Sequence, residues 1–195
     1  MSDINEEYYV LVCGSGKVPS PYVADTKSHY LMLQSPASLK RPIQVETAAD
    51  PNDSIPLIEA MAAPSDPVIS ERVKKVIEYF DLYKVQLFPA IYTHNDESEY
   101  SYYILVVENV INAYDFNNGK YFEKEDDGSV DAINFRLDAN KLAMIPLEKR
   151  CIFTIRGMSE YLVHRSVAEP LMALNASGLR LVPLLQWDIG FEMTV

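Results

Sequence analysis

One pattern, an amphipathic helix running into a short apolar strand that ends in proline, occurs twice in this chain, 94 residues apart and without a gap. The first copy is Val68 to Pro89, VISERVKKVIEYFDLYKVQLFP, and the second is Leu162 to Pro183, LVHRSVAEPLMALNASGLRLVP. In the first, Val73, Val76, Ile77 and Phe80 sit at the i, i+3, i+4, i+7 spacing that gathers apolar side chains onto one helical face; Val167, Pro170, Leu171 and Leu174 fill the same slots in the second. Val85, Leu87, Phe88 and Pro89 of the first strand match Leu179, Leu181, Val182 and Pro183 of the second. Each unit has one apolar helix face and one strand that something else must cover. The two helices are therefore expected to be buried on one face and related by an internal two-fold or tandem arrangement. Such a doubled unit organises a core and performs no chemistry.

With 195 residues, 48% of them apolar, the chain can bury a core of ordinary size. We expect one domain over 1–195, with a possible N-terminal lobe at 1–60 and the repeated units at 57–89 and 151–183. The acidic start MSDINEEYYV has no basic n-region, and the longest aliphatic run, Ile104 to Val107, falls far short of the roughly 20 residues that span a bilayer. A cytoplasmic location is the expectation. Cys13 and Cys151 each lie in a strand-like run and read as reduced, buried thiols.

Along the chain we read an α+β or mixed α/β fold with an antiparallel-rich sheet and two repeated helix–strand units. Tyr8 to Cys13 is the first strand, and Ala49 to Pro56 is a loop by its Pro, Asn and Asp content. Ser101 to Phe116 reads as a strand pair or one long bent strand. Asn118-Gly119 is a type I′ hairpin signal, and Asp127-Gly128 is a second, so the middle of the chain reads as a meander. LLQWDIGFEMTV closes it as an extended tail or edge strand.

Motifs for chemistry are weak. Gly14-Ser15-Gly16-Lys17 follows a strand, as a phosphate loop would, but Leu11 and Val18 stand where that motif needs Gly and Ser or Thr. Pro19 also opposes the helix that would hold a phosphate, leaving a surface turn. His29, His94 and His164 are scattered, and no two ligands share a helical face, so no metal, cofactor or catalytic residue is assigned. Glu123, Glu125, Asp126 and Asp127 lack the alternating ligands and central Gly of a Ca²⁺ loop, and read as a solvated hairpin tip. Asn175 and Gly178 read as the C-terminal end of the second repeat helix.

Charge narrows the class of partner. With 17 basic and 28 acidic residues the net charge is −11. The segment 91–140 holds 11 acids against Lys120, Lys124 and Arg136. Affinity for phosphate comes largely from lysine and arginine, so direct nucleic-acid binding is not expected, and a basic protein partner suits the chain better. Tyr occurs 13 times, and Tyr92, Tyr100, Tyr102, Tyr103, Tyr114 and Tyr121 interleave with those acids. Some of these rings must alternate into a sheet core; the rest offer an apolar face with a polar tip, as in binding hot spots. The candidate contact residues are Asp96, Glu97, Glu99, Tyr100, Tyr121, Glu123, Glu125, Asp126, Asp127 and Asp131.

Tyr8-Tyr9, SDPVISERVKKVIE running into VQLFPA (Ser65 to Ala90), YYILVVENVINAYD (Tyr102 to Asp115), and IFTIRG followed by a helix and GLRLVP (Ile152 to Pro183) together resemble the bacterial polymorphic-toxin immunity proteins of the type called immunity protein eleven. The second repeat departs from the pattern, with His164-Arg165-Ser166 where Ser70-Glu71-Arg72 stands in the first and Pro170 inside the helix. The resemblance implies a non-enzymatic antitoxin that binds a cognate secreted toxin domain, such as a nuclease-type effector of a type VI or contact-dependent system, and occludes it. Other classes left open by the residues are a small cytoplasmic hydrolase, using Ser15 or a carboxylate pair, and a regulatory subunit of an unrelated complex.

Overall fold

The computed structural model describes residues 3–14, 18–24, 39–48, 50, 53–64, 66–94, 97–124 and 130–188, together with 27, 32 and 34; for 122–124, 130 and 131 it describes the backbone alone. The fold is mixed α+β, with three sheets, mostly antiparallel, and three α-helices among the described residues. The strands in chain order are β1 (Tyr8–Cys13), β2 (Pro21–Val23), β3 (Ile43–Thr47), β4 (Ala60–Met61), β5 (Val68–Ser70), β6 (Val85–Thr93), β7 (Glu99–Val107), β8 (Lys120–Lys124), β9 (Val130–Asn134), β10 (Ile152–Thr154), β11 (Tyr161–His164) and β12 (Leu179–Pro183). The helices are α1 (Glu71–Tyr79), α2 (Ala139–Ala143) and α3 (Arg165–Ala173). One sheet runs β10-β11-β1-β12, a second β2-β3-β6-β7-β5-β4, and β8 pairs with β9 alone.

The two repeats adopt the same structure residue for residue. Each is strand, nine-residue helix, strand, as β5-α1-β6 and β11-α3-β12. The backbone turns left-handed at matching places after each helix, at Asp81 (φ 45) and Asn175 (φ 48), and again at Lys84 (φ 53) and Gly178 (φ 78). Asn and Gly tolerate that region and Lys and Asp do so less readily, so the first copy holds the more strained turn.

The 94-residue offset also governs a strand outside the helix–strand unit. In the second sheet, the strand between β5 and β6 is β7, with Ser70 opposite Tyr102 and Val85 opposite Val107. In the first, the strand between β11 and β12 is β1, with His164 opposite Tyr8 and Leu179 opposite Cys13. The two central strands read YYVLVC and YYILVV, at Tyr8–Cys13 and Tyr102–Val107. Matching bonds accompany them: the Glu108 N–H donates to the Lys84 carbonyl at 2.9 Å and the Gly14 N–H to the Gly178 carbonyl at 2.8 Å. The N-terminus thus completes the sheet of the second repeat, as β7 completes that of the first.

Packing follows from strand alternation. Leu11 and Leu105, Ile69 and Val163, Val73 and Val167, and Ile77 and Leu171 all meet in one central core between the sheets. Equivalent residues of the two repeats therefore share one core, in which α1 and α3 touch each other. The opposite faces carry Tyr8, Val10 and Val12 into one outer core, and Tyr102, Ile104 and Val106 into another. The Tyr102 hydroxyl donates to the Ile58 carbonyl at 2.6 Å, and that of Tyr8 to the Arg150 carbonyl at 3.4 Å.

Several sequence expectations change, among them the extended tail, since Leu184–Gln186 forms a 3₁₀ turn. Asn118-Gly119 is not a type I′ hairpin, because neither residue has the positive φ that turn needs. Instead the Asp115 carboxylate accepts from the Asn117 N–H and the Asn118 side chain, and its carbonyl accepts from the Gly119 N–H, directing the chain into β8. β8 and β9 pair only with each other, so the middle holds one two-stranded ladder rather than a meander, and the Asp127-Gly128 signal itself lies outside the described residues. Cys13 and Cys151 form no disulfide, and both are half-buried rather than buried. Ser15 to Lys17, His29 and the tail from residue 189 lie outside the described residues.

Candidate docking surfaces

The end of the six-stranded sheet formed by β2, β3 and the outer halves of β6 and β7 presents one core face and one solvent face. Ile43, Val45, Phe88, Ala90, Tyr92 and Tyr102 are buried inward. Residues between them point outward in rows across the strands. Tyr22, Glu46, Thr93 and Glu99 form one row, Gln44, Ile91 and Ser101 the next, and Pro89 and Tyr103 the third. Tyr22, Pro89, Glu99 and Ser101 are exposed, while Glu46, Ile91, Thr93 and Tyr103 are half-buried. The Tyr22 hydroxyl donates to Glu46 Oε2 at 3.1 Å, which raises the Tyr22 phenol above its ordinary value. Tyr103 hydrogen-bonds Glu71 at the foot of α1, which holds that carboxyl low and the phenol high. Lys74 at this border lies over the Tyr103 ring at 4.7 Å and is held by Glu78 at 2.7 Å, and Lys75 pairs with Glu71 at 3.8 Å.

A second surface is a polar cleft of about 630 Å³ lined by Asp3, Asn5, Asp115, Asn118, Arg136, Asp138 and Asn140, among others. Its carboxylates are committed to backbone. Asp3 accepts from Asn5, and Asp138 caps α2 by accepting from the Asn140 and Lys141 N–H groups. Local hydrogen bonds, from Asn5 to Asp3 and from Asn118 to Asp115, hold both carboxyls below the usual range. Tyr121, 44% exposed, stands nearby on β8 with its ring against Phe116.

The N-termini of α1 and α3 mark where the repeats diverge chemically. Ser70 caps α1 by accepting from the Val73 N–H, and Arg72 bridges to Glu59 at 2.8 Å. At the matching position of α3, His164 is buried and its Nδ1 accepts from the Ser166 N–H at 3.2 Å. That leaves Nδ1 unprotonated, so the Ser166 hydroxyl donates to it at 2.9 Å while Nε2–H faces Glu7 at 3.4 Å. Burial lowers the His164 pKa, opposed by Glu7 and assisted by Arg150 and Arg165. Hydroxyl, imidazole and carboxylate are in line as in a hydrolytic triad, but here the ring serves the helix as its cap.

The candidate contact residues fall on two separate sheets. Glu99 lies on the solvent face of the six-stranded sheet and Glu97 in the turn beside it. Tyr100, 37% exposed, lies opposite Tyr92 and turns to the core face. Tyr121 and the backbones of Glu123 and Asp131 belong to β8 and β9. Asp96, Glu125, Asp126 and Asp127 lie outside the described residues. Sequence reasoning missed Tyr22, Glu46 and Thr93, although the alternation in IQVET (Ile43–Thr47) already places Gln44 and Glu46 on a solvent face.

Among the described residues no group of three or more His, Cys, Asp or Glu side chains could hold a metal ion. No described helix is long and apolar enough to cross a membrane. No family model matches the chain, and no curated protein matches it.

Proposed function

We propose that this chain is an immunity-type antitoxin, which binds the toxic domain of a cognate secreted effector in the cytoplasm and neutralises it by non-covalent occlusion. The observation that carries this reading is the pairing of tyrosine with carboxylate at the surface, the exposed Tyr22 with Glu46 and the half-buried Tyr103 with Glu71. With a net charge of −11, that chemistry suits a cationic protein, whose approach it steers and whose side chains it can receive. The resemblance to immunity protein eleven in the repeat units points the same way, and a basic nuclease-type domain is the class of toxin such a surface fits.

The test is to purify the tagged chain with the C-terminal domain of the large secreted protein encoded beside its own gene. A stable complex and protection of cells expressing that domain are expected. No complex and no protection would overturn the reading, and a metabolic operon in place of the toxin gene would favour the hydrolase or subunit alternatives.

A further inference from the structure

We infer that the solvent face of the six-stranded sheet, centred on the row Tyr22, Glu46, Thr93, Glu99, is the surface that receives a cationic protein partner. This rests on the function proposed above and names the site within it. The strands carry their apolar side chains to the other face, where Ile43, Val45, Ala90, Tyr92 and Tyr102 are buried, so this face is not a core awaiting completion. Its outward residues on β2, β3, β6 and β7 include Glu46 and Glu99 and no lysine or arginine. At the border on α1, Glu71 is bonded to Tyr103 and paired with Lys74 and Lys75, and Lys74 also with Glu78, so these four charges balance and the negative charge of the face is that of Glu46 and Glu99. Tyr22 and Tyr103, each tied by its hydroxyl to a carboxylate, have rings that are already oriented, which lowers the entropy lost on binding.

The internal repeat separates this face from the general acidity of the chain. Counterparts of Ile91 to Thr93 are Leu185 to Trp187, which enter and leave a 3₁₀ turn, and counterparts of Glu99 to Ser101 are Asn5 to Glu7, in another. The duplicated core is therefore shared, whereas this sheet extension occurs once. One partner per chain follows. The Asp115 cleft is the weaker candidate, because its three carboxylates are already spent on turns and on the cap of α2.

The experiment compares the full-length chain, its E46K/E99K variant, a Thr93→Arg variant and a Tyr121→Ala variant for binding the same neighbouring toxic domain at low and high salt, with circular dichroism on each. E46K/E99K is expected to slow association about tenfold or more at low salt and less at high salt, since exposed charges are screened within about 8 Å at physiological ionic strength. Thr93→Arg, which places one cation in the centre of the face, should weaken the 1:1 complex, and Tyr121→Ala should leave it intact. A wild-type complex unaffected by E46K/E99K and Thr93→Arg, or one lost in Tyr121→Ala alone, overturns the assignment while leaving the proposed function standing. Absence of any wild-type complex overturns both.

Discussion

The two halves of this molecule share a backbone and differ in what they do with its edges. In both, a nine-residue helix links two strands of one sheet, and a Tyr-Tyr strand, β7 or β1, lies between them. In the first half, β6 and β7 run on past the shared core into a long hairpin that also recruits β3 and β2. In the second, the chain curls into short 3₁₀ turns at Ile4–Glu7 and Leu184–Gln186. The shared part is apolar and buried, whereas the unshared extension is buried on one face and polar on the other. Duplication supplied a core, and divergence at its margins supplied the surfaces.

The largest test of this equivalence lies in the central core. Val73 and Val167 occupy the same position on α1 and α3 and are 1% and 0% exposed. Val73→Asp and Val167→Asp each bury an unpaired charge and should cost several kcal/mol, on the order of the whole stability of a domain, so both should be lost from the soluble fraction. A soluble, cooperatively melting Val167→Asp beside an insoluble Val73→Asp would break the comparison.

A change of opposite sign sharpens it. Gly178 and Lys84 occupy the same left-handed position, but a Cβ at Gly178 would run into the Ala60 carbonyl. Gly178→Ala should therefore destabilise by roughly 2 kcal/mol or more, whereas Lys84→Gly should be neutral or stabilise by up to about 1 kcal/mol, as read by urea denaturation. Equal effects at both sites would show that the two turns are not equivalent.

The smallest effect concerns the caps. The folded pKa of His164 is lowered, so between that value and the ordinary 6.5 the unfolded chain binds more protons than the folded one. The stability due to its neutral cap is complete above that ordinary value and is lost as pH falls through the lowered one. In His164→Ser, which installs the cap of the first half, this slope should vanish from the melting temperature measured between pH 7 and 5. A slope unchanged in that variant would assign it to other groups.

Legibility followed the length of each signal. The helix–strand units were readable because about 22 residues repeat two periodicities in the same order, and their helices, strands and left-handed Asn175 and Gly178 lie where the pattern put them. The β1 and β7 match was equally present in YYVLVC and YYILVV, but six residues of common strand composition carry no weight until both are seen in the same slot. Asn118-Gly119 misled because Asp115 captured the local donors, its carboxylate taking the Asn117 N–H and the Asn118 side chain and its carbonyl the Gly119 N–H. The contact residues were readable as a composition, acid with tyrosine, and not as a surface.

What the amino-acid order determined by itself was local: which residues turn, which face of each helix is apolar, and that a doubled unit must find cover. Tertiary structure alone decided that the cover is mutual, with each helix packed in the core shared with its own copy and the N-terminal strand carried across to finish the sheet of the second repeat. It also decided that Glu99 shares a face with Tyr22 and Glu46 while Tyr121 stands on another sheet. Strand pairing joins segments many residues apart, and the register that brings their side chains together is set by the whole core at once rather than by any one stretch of sequence.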